Sequence, residues 1–323
     1  MNLANFRNTV LSAALAASLT GCGGGGGTAA GGGTGGTGIS AGVITGFGSV
    51  IVNDVHFNFD SANVNVNDTA GAGANKGLKV GMTVKVKGTF DANGTTGTAT
   101  DIEAEHEVEG RIDTVNAADE TFVVLGQIVR TDAQTLYDGI ANGFSDLFSG
   151  MKVEVYGLRD ARGDIHATLI ELESDSEFED ELRGTVSDLT LATFTFKIGD
   201  LTIRYDNNTQ FEHGMLMNDL KNGATVEVHL DISSTPPRAT KIEFEDNEDS
   251  QFVAGEGWRA EVEGYVTNVV NSTTFEIGSQ TVRTNTSTLY DGGQAGDIAV
   301  GRKVEAEGTI SSGVLIARKI KFE

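Results

Sequence analysis

The chain has 323 residues, of which 46 are Asp or Glu and 23 are Lys or Arg, for a formal net charge of −23. A surface this acidic repels nucleic acid, so the composition argues against a nucleic-acid partner. The single cysteine excludes an intrachain disulfide, and stability must therefore come from packed cores.

The N-terminal residues 1–21 predict a lipoprotein signal peptide. Its apolar stretch, Val10 to Leu19, is too short to span a membrane. The residues Leu19-Thr20-Gly21-Cys22 then resemble a bacterial lipobox, which implies that Cys22 is lipidated and holds the protein to the membrane. The alternative is an ordinary signal peptide with an incidental cysteine. Since Gly23 is not the aspartate associated with inner-membrane retention, the resemblance favours the outer membrane of a bacterial envelope.

Residues 22–38 predict a flexible tether behind the lipidated cysteine. They consist of Gly and Thr runs without apolar periodicity, a composition that cannot pack a core. We expect the folded part of the protein to stay near the membrane without entering it.

One short pattern recurs four times beyond the tether. It consists of an apolar residue, a glycine three positions later and then alternating apolar residues, as in Leu78/Gly81/Val84/Val86. The other copies are Leu147/Gly150/Val153/Val155, Leu220/Gly223/Val226/Val228 and Ile298/Gly301/Val304/Ala306. The spacing, roughly 70 to 80 residues, is that of a small domain. It predicts module 1 (residues 39–106), module 2 (107–178), module 3 (179–250) and module 4 (251–323).

Within module 2, the chain predicts a glycine-marked strand at 108–112, a Thr-Phe strand at 121–124 and, after a tight hairpin, a third strand at 128–132. The equivalent segments of modules 3 and 4 are 182–186, 195–198 and 202–206, and 262–266, 274–277 and 281–285. A turn into a short helix or irregular loop follows.

The repeated glycine pattern then predicts a fourth strand, and a final strand follows a turn. The copies of the final strand are 101–105, 169–173, 241–245 and 319–323, and each alternates apolar residues with charged ones. This alternation predicts apolar side chains inside a barrel and charged side chains facing solvent. Three strands, a helix or loop and two strands is the order of an OB-type barrel. We therefore expect an all-β chain, a tandem array of four OB-like five-stranded β-barrel modules.

The repeats resemble the β domains of bacterial lipoproteins classed as domain of unknown function 5666. The resemblance is carried by the glycine that opens each module, by the Val-Arg-Thr-Asp-like third strand with a threonine three residues on, and by the Gly-x-x-Val-x-Val-x-Gly strand. It covers nearly all of the chain after the tether and implies no activity or catalytic residues. The departures are Asn58, in place of the arginine in module 1, and Leu230, in place of the strand-ending glycine in module 3.

The sequence favours a non-catalytic binding or scaffolding protein. The five histidines occupy different repeat positions, and neither an H-E-x-x-H pair nor a G-x-S-x-G elbow is present. We therefore expect no enzymatic activity and no cofactor, with envelope proteins or glycans as partners. An envelope hydrolase whose triad is assembled across modules stays an alternative.

Arg130, Arg204 and Arg283 recur at one position of the third strand. One interpretation is a repeated anion-binding or carboxylate-binding site. The other, which we favour, is that each arginine pairs with acidic residues of its own module.

Two acidic runs lie between modules and raise the possibility of calcium binding. Their candidate ligands are Asp175, Glu177, Glu179 and Asp180 in the first run, and Asp246, Glu248 and Asp249 in the second. Calcium takes six to eight oxygens, so such clusters would stiffen the array as a metal hinge. Neither run has EF-hand spacing, and a solvated linker is the alternative that we favour.

Trp258, the only tryptophan, lies in the long connection that precedes the first strand of module 4. We expect it to pack between modules 3 and 4, because tryptophan is well buried on average. An exposed binding residue is the alternative.

Overall fold

The computed structural model of the protein describes residues 36–173, 179–212, 216–244 and 254–323. Cys22, the predicted signal peptide and most of the predicted tether lie outside the described residues. The first strand already begins at Gly36, so residues 36–38 belong to a strand and not to the predicted tether. Within the described ranges, no helix is both long and apolar enough to cross a membrane.

Strands form nearly all of the secondary structure in the described residues. Module 1 contains β1 (Gly36–Val43), β2 (Val50–Val52), β3 (Val55–Asn58), β4 (Asn63–Val66), β5 (Thr69–Ala70), β6 (Thr83–Phe90) and β7 (Thr96–Ala104). Module 2 contains β8 (Val108–Asn116), β9 (Thr121–Val124), β10 (Gln127–Arg130), β11 (Leu136–Asp138), a 3-10 helix (Gly143–Asp146), β12 (Lys152–Arg159) and β13 (Ile165–Leu172).

The second half of the chain repeats this order. Module 3 contains β14 (Glu181–Thr185), β15 (Ser187–Thr190), β16 (Thr195–Ile198), β17 (Leu201–Arg204), β18 (Gln210–Phe211), a 3-10 helix (Met217–Asp219), β19 (Thr225–Asp231) and β20 (Arg238–Phe244). Module 4 contains β21 (Arg259–Asn271), β22 (Thr274–Ile277), β23 (Gln280–Arg283), β24 (Leu289–Asp291), a 3-10 helix (Ala295–Asp297), β25 (Lys303–Ser311) and β26 (Val314–Phe322).

Modules 2 and 4 are closed five-stranded barrels. In module 2 the strands pair in the ring order β8, β9, β10, β13, β12 and back to β8, and the pairing of β10 with β13 is parallel. Module 4 repeats this ring with β21, β22, β23, β26 and β25. The predicted OB-like barrel fold is therefore confirmed.

Modules 1 and 3 show variants of the same ring. In module 3 the first strand is divided into β14 and β15 at Val186. In module 1 the first two strands are connected through a single bridge between Gly46 and Ile51. After the third strand, modules 2, 3 and 4 have a short extra strand and then a 3-10 helix, where the sequence predicted a short helix or irregular loop. The extra strand pairs in parallel with the final strand of its barrel.

The glycine that opens modules 2, 3 and 4 makes room for the second strand. A Cβ atom at Gly184 would lie 2.4 Å from Cγ2 of Ile198, and one at Gly264 would lie 2.7 Å from Cγ2 of Ile277. Gly110 meets Val124 in the same way, at 2.7 Å. The repeated glycine is thus a packing requirement of the barrel core.

The repeated threonine links the turn after the third strand to the final strand by hydrogen bonds. The Oγ1 atoms of Thr135, Thr209 and Thr288 donate hydrogen bonds to the carbonyl oxygens of Ala167, Ala239 and Ala317, at 2.9, 2.8 and 2.7 Å. Each Oγ1 also accepts a hydrogen bond from the backbone N–H three residues earlier. The motif that carries the family resemblance is therefore a structural turn of the barrel.

The modules pair in a way that their order along the chain does not indicate. β1 of module 1 runs parallel to β21 of module 4, and Gly38 to Ala41 pair with Arg259 to Val262. Gly38 allows this approach, because a Cβ there would lie 2.4 Å from the carbonyl oxygen of Arg259. β8 of module 2 pairs with β14 of module 3. The first and last modules are thus joined in one sheet, and the two middle modules in another.

Candidate binding cleft between modules 1, 2 and 4

A cleft of about 790 Å³ lies where modules 1, 2 and 4 meet. Module 1 lines it with the residues around the end of β1 and the β2 to β3 turn, and module 2 with β13 and the turn after β10. Module 4 contributes Tyr265 of β21 and side chains of β25 and β26. A cleft between domains is a common location for small-ligand sites.

An aromatic pair spans the cleft from module 2 to module 4. The rings of His166 and Tyr265 have their centroids 4.2 Å apart and are tilted by 33°. Both side chains are half-buried, so one edge of the pair stays open to the cleft. Burial raises the pKa of Tyr265, which keeps its phenol neutral.

The charged groups of the cleft largely neutralise one another. Nζ of Lys303 lies 2.7 Å from Glu263 and 2.9 Å from Glu323. Nζ of Lys321 lies 3.1 Å from Asp54 of module 1 and 3.4 Å from Glu305. These lysines therefore hold the walls together, and little of their charge is left for a ligand.

Two polar atoms in the cleft wall are buried and make no hydrogen bond within the part of the chain that the structure describes. They are Oδ1 of Asn53 and Oγ1 of Thr168. The amide nitrogen of Asn53 is committed, since it donates to Oγ of Ser40 at 2.9 Å and to the carbonyl oxygen of Ala41 at 3.0 Å. A buried polar atom without a partner is costly, and since neither atom has accessible surface, a ligand would reach them only with a small movement of the cleft wall.

The three repeated arginines lie at equivalent ends of the third strands, far apart in the chain. Nη2 of Arg130 lies 2.6 Å from Asp164 of its own module. Nη1 of Arg204 lies 3.9 Å from Asp206, also in its own module. Arg283 is exposed, and among the described residues no carboxylate lies within 4.0 Å of it in an ion pair. The structure does not bring the three guanidinium groups together into one site.

Of the predicted calcium ligands, Glu179 and Asp180 are described. Glu179 is exposed, and its Oε2 lies 2.9 Å from Nδ1 of His229. Asp180 has a buried Oδ1 without a hydrogen-bond partner, and burial raises its pKa. Asp175, Glu177, Asp246, Glu248 and Asp249 lie outside the described residues.

Several outward-pointing glutamates are buried between modules. They point out of their own barrels but are covered by neighbouring modules, and each is less than a tenth exposed. These glutamates are Glu109, Glu154, Glu171, Glu181, Glu227, Glu243, Glu261 and Glu305. The expectation of solvent-facing charges in the final strands was wrong at Glu171 and Glu243, because the alternation reports only which side of the strand is the barrel interior.

The largest group of buried carboxylates surrounds His106 and His229, at the junction of modules 1, 2 and 3. Nδ1 of His106 lies 3.2 Å from Glu154, and its Nε2 lies 3.3 Å from Glu181. Although burial opposes protonation, the carboxylates of Glu154 and Glu181 raise the pKa of His106 well above its usual value. Burial acts in the same direction on His229, but Glu227 and Glu243 raise its pKa to about 10.

Sequence analysis missed this junction, although a signal was present. A glutamate between the two valines of the fourth strand recurs as Glu154 and Glu227, and Glu305 occupies the same position in module 4. Repetition of a charge at an outward position in separate modules is expected where modules cover one another.

Trp258 also differs from expectation, because it contacts module 1. Nζ of Lys87, in β6, lies 5.8 Å from the centre of its ring. The backbone of Trp258 pairs with Ile310 of module 4. The predicted position between modules 3 and 4 was wrong, since the sheet brings module 1 to this face of module 4.

Comparison with known proteins identifies the repeats. The family model described as "Domain of unknown function (DUF5666)" matches residues 39–103, 109–171, 183–243 and 263–321. The chain belongs to this family. No curated protein matches it. Among solved structures, a chain described as "drosophila Unr CSD456" is similar at 13% identity over 67% of this chain and 96% of that chain, with a TM-score of 0.18.

Each DUF5666 match corresponds to one barrel. The third-strand arginine and the threonine turn lie inside the matched ranges of the second, third and fourth DUF5666 domains, as do the fourth-strand glutamates. The cleft, by contrast, belongs to no single DUF5666 domain, because three domains line it. The chain is therefore a modular protein of four DUF5666 barrels whose shared surfaces are made by packing the domains together.

Proposed function

We propose that the protein is a non-catalytic binding protein of the bacterial cell envelope, held to the outer membrane through a lipid on Cys22. Its ligand site is the cleft between modules 1, 2 and 4. The observation that carries this proposal is the pair of buried, unpartnered atoms, Asn53 Oδ1 and Thr168 Oγ1, in a cleft that also contains an aromatic pair.

The chemistry of the cleft favours a neutral, hydroxyl-rich ligand, and we assign it a glycan. A hydroxyl group can donate to Asn53 Oδ1 and can exchange hydrogen bonds with Thr168 Oγ1. One face of Tyr265 packs on His166, and the other face of this half-buried ring would be the apolar surface for a sugar ring. Lys303 and Lys321 of the cleft are already paired with carboxylates, and the remaining lining cation, Arg302, is exposed and lies over the ring of Phe322, so the cleft offers an anionic ligand little buried positive charge. Other OB-type barrels bind oligosaccharides, which makes the assignment compatible with the fold.

Calorimetric titration of the full chain in detergent, with neutral oligosaccharides of glucose and of N-acetylglucosamine, tests the cleft. We expect saturable binding that Tyr265→Leu and Thr168→Val each weaken by about tenfold, equivalent to about 1.4 kcal/mol. Phe148→Ala is the matched control, because Phe148 is an exposed aromatic residue outside the cleft lining. Absence of binding, or binding that neither cleft variant changes, would refute the glycan assignment.

The anchoring part of the proposal has its own test. Cys22→Ser removes the proposed lipid attachment, so we expect the protein to move from the membrane fraction to the soluble fraction after washing without detergent. If the variant stays with the membrane, the lipid-anchor proposal fails while the cleft proposal stands.

A further inference from the structure

A second set of groups with binding chemistry lies at the junction of modules 1, 2 and 3, away from the cleft. It is built on the outward face of three paired strands of module 3. Glu181 of β14 is the register partner of His229 on β19, and Glu227 lies two residues before His229 on the same face. Glu227 in turn faces Glu243 of β20. The strand pairing therefore concentrates carboxylates around one imidazole.

The two nitrogens of His229 face different pairs of carboxylates. Nδ1 lies 2.9 Å from Glu179 and 3.5 Å from Glu181. Nε2 lies 3.6 Å from Glu227 and 3.8 Å from Glu243. The ligand atoms of Glu179, Glu181 and His229 all lie within 4.8 Å of one another. Ligands bound 2.0 to 2.2 Å from one zinc ion lie up to roughly 4.4 Å apart, so small side-chain rotations would bring these atoms to one ion.

From this arrangement we infer that Glu179, Glu181 and Nδ1 of His229 form a binding site for a divalent transition-metal ion such as zinc. The imidazole nitrogen distinguishes the site from the calcium clusters that the acidic runs suggested, because calcium prefers oxygen ligands. Three protein ligands leave at least one coordination position open for water or for a group from a partner.

The surroundings of these ligands have the form expected of a second layer around a metal. A ligating histidine usually donates its other ring N–H to a carboxylate. Nε2 of His229 lies just beyond hydrogen-bond distance of Glu227 and Glu243 and has no hydrogen-bond partner in the described part of the chain, so a small ring rotation would be needed to complete this arrangement. Glu181 is oriented from its other side by His106, which is 3% exposed. Nε2 of His106 points to Glu181 at 3.3 Å but makes no hydrogen bond in the described part of the chain.

The nearby cations are engaged with other carboxylates and do not occupy the site. Lys241 contacts Glu243, and Arg183 contacts Glu105 of module 1. Neither of these two ion pairs involves Glu179 or Glu181. A divalent ion at Nδ1 of His229 would therefore add positive charge where two carboxylates share a single imidazole.

The test is calorimetric titration of the full chain in detergent, after dialysis against EDTA and then into metal-free buffer, with zinc chloride and in parallel with calcium chloride. We expect saturable zinc binding that His229→Gln and Glu179→Gln each weaken by at least about tenfold. His56→Gln is the matched control, because it removes an exposed histidine of module 1 and should leave the affinity unchanged. Glu179 is itself exposed, so Glu179→Gln is expected to fold even if His229→Gln does not.

Two results would overturn the assignment. One is a lack of saturable zinc binding, or zinc binding that has the same affinity in both junction variants as in the parent protein. The other is calcium binding tighter than zinc binding that depends on Glu179 and not on His229, which would mean an oxygen-ligated site of the acidic run.

Discussion

Ser40 of the first barrel donates a hydrogen bond to Glu261 of the last barrel, 221 residues away in the chain, with Oγ and Oε2 3.2 Å apart. Both residues are buried, and Asn53 donates a further hydrogen bond to Ser40. The contact lies beside the parallel pairing of β1 with β21, so this hydrogen bond forms only when modules 1 and 4 are packed together.

Replacing Ser40 by alanine should weaken this union. The change leaves a buried oxygen of Glu261 and the amide of Asn53 each with one partner fewer, so we expect a loss of about 1–3 kcal/mol in the free energy of unfolding. Ser49→Ala is the control, because Ser49 is only partly buried and its 3.2 Å hydrogen bond with His56 is exposed to solvent. Urea unfolding followed by Trp258 fluorescence measures the effect, and equal midpoints for the two variants would contradict the prediction.

The buried carboxylate of Glu109 should make stability depend on pH. Burial raises the pKa of Glu109 from 4.5 to about 7, although the backbone N–H of Glu179 and the charge of His106 oppose the shift, while Glu154 and Glu173 add to it. The folded state therefore holds the proton more tightly than the unfolded state. This contribution is fully present below pH 4.5 and is lost as the pH rises through 7.

Glu109→Gln cannot ionise and should flatten that part of the pH profile. At pH 8 we expect the variant to be more stable than the parent protein by about 2 to 3 kcal/mol, with little difference at pH 4.5. Glu120→Gln, which removes an exposed carboxylate of the same module, serves as the reference. Chemical unfolding at a series of pH values measures the difference in the free energy of unfolding between variant and parent. A difference that is the same at all pH values would count against the raised pKa of Glu109.

The threonine turn should stabilise each barrel that contains it. Thr288→Val keeps the side-chain shape but removes the hydrogen bonds to Ala317 and from the N–H of Asn285. Because both groups lose a partner, we expect a cost of about 1–3 kcal/mol. Thr286→Val, at an exposed position of the same turn, should change the unfolding midpoint far less. If both variants have the same unfolding midpoint as the parent protein, the threonine hydrogen bonds do not stabilise the barrel.

The opening glycine of module 3 should not tolerate even a methyl group. Gly184→Ala places a Cβ 2.4 Å from Ile198 in a closed core, and such overpacking typically costs about 1–3 kcal/mol. At Gly296, by contrast, a Cβ would meet no atom within 4 Å. Thermal unfolding of the two alanine variants separates a packing effect from a general effect of losing glycine. If the Gly184→Ala protein is as stable as the Gly296→Ala protein, the prediction that a methyl group overpacks the core at Gly184 is wrong.

The amino-acid sequence was enough to predict the number of modules, the barrel class and most strand positions. It could do so because these depend on local periodicity. Thr121 to Val124 alternate inward and outward, and the glycine of the repeated pattern, such as Gly150, ends the preceding loop at a positive φ of 92°. Strand ends were less well determined, and the third strand of module 2 begins one residue earlier and ends two residues earlier than predicted.

Which modules touch, and what lies between them, became known from the packing of the barrels. The pairing of Gly38 with Arg259 depends on a close approach of two segments that are far apart in the chain, and no local pattern reports it. For the same reason, the outward glutamates of the final strands, such as Glu171 and Glu243, were expected to face solvent although they are buried. An alternating strand specifies its two faces but not what covers the outer one, so the cleft and the His229 junction became visible only once the four barrels were packed together.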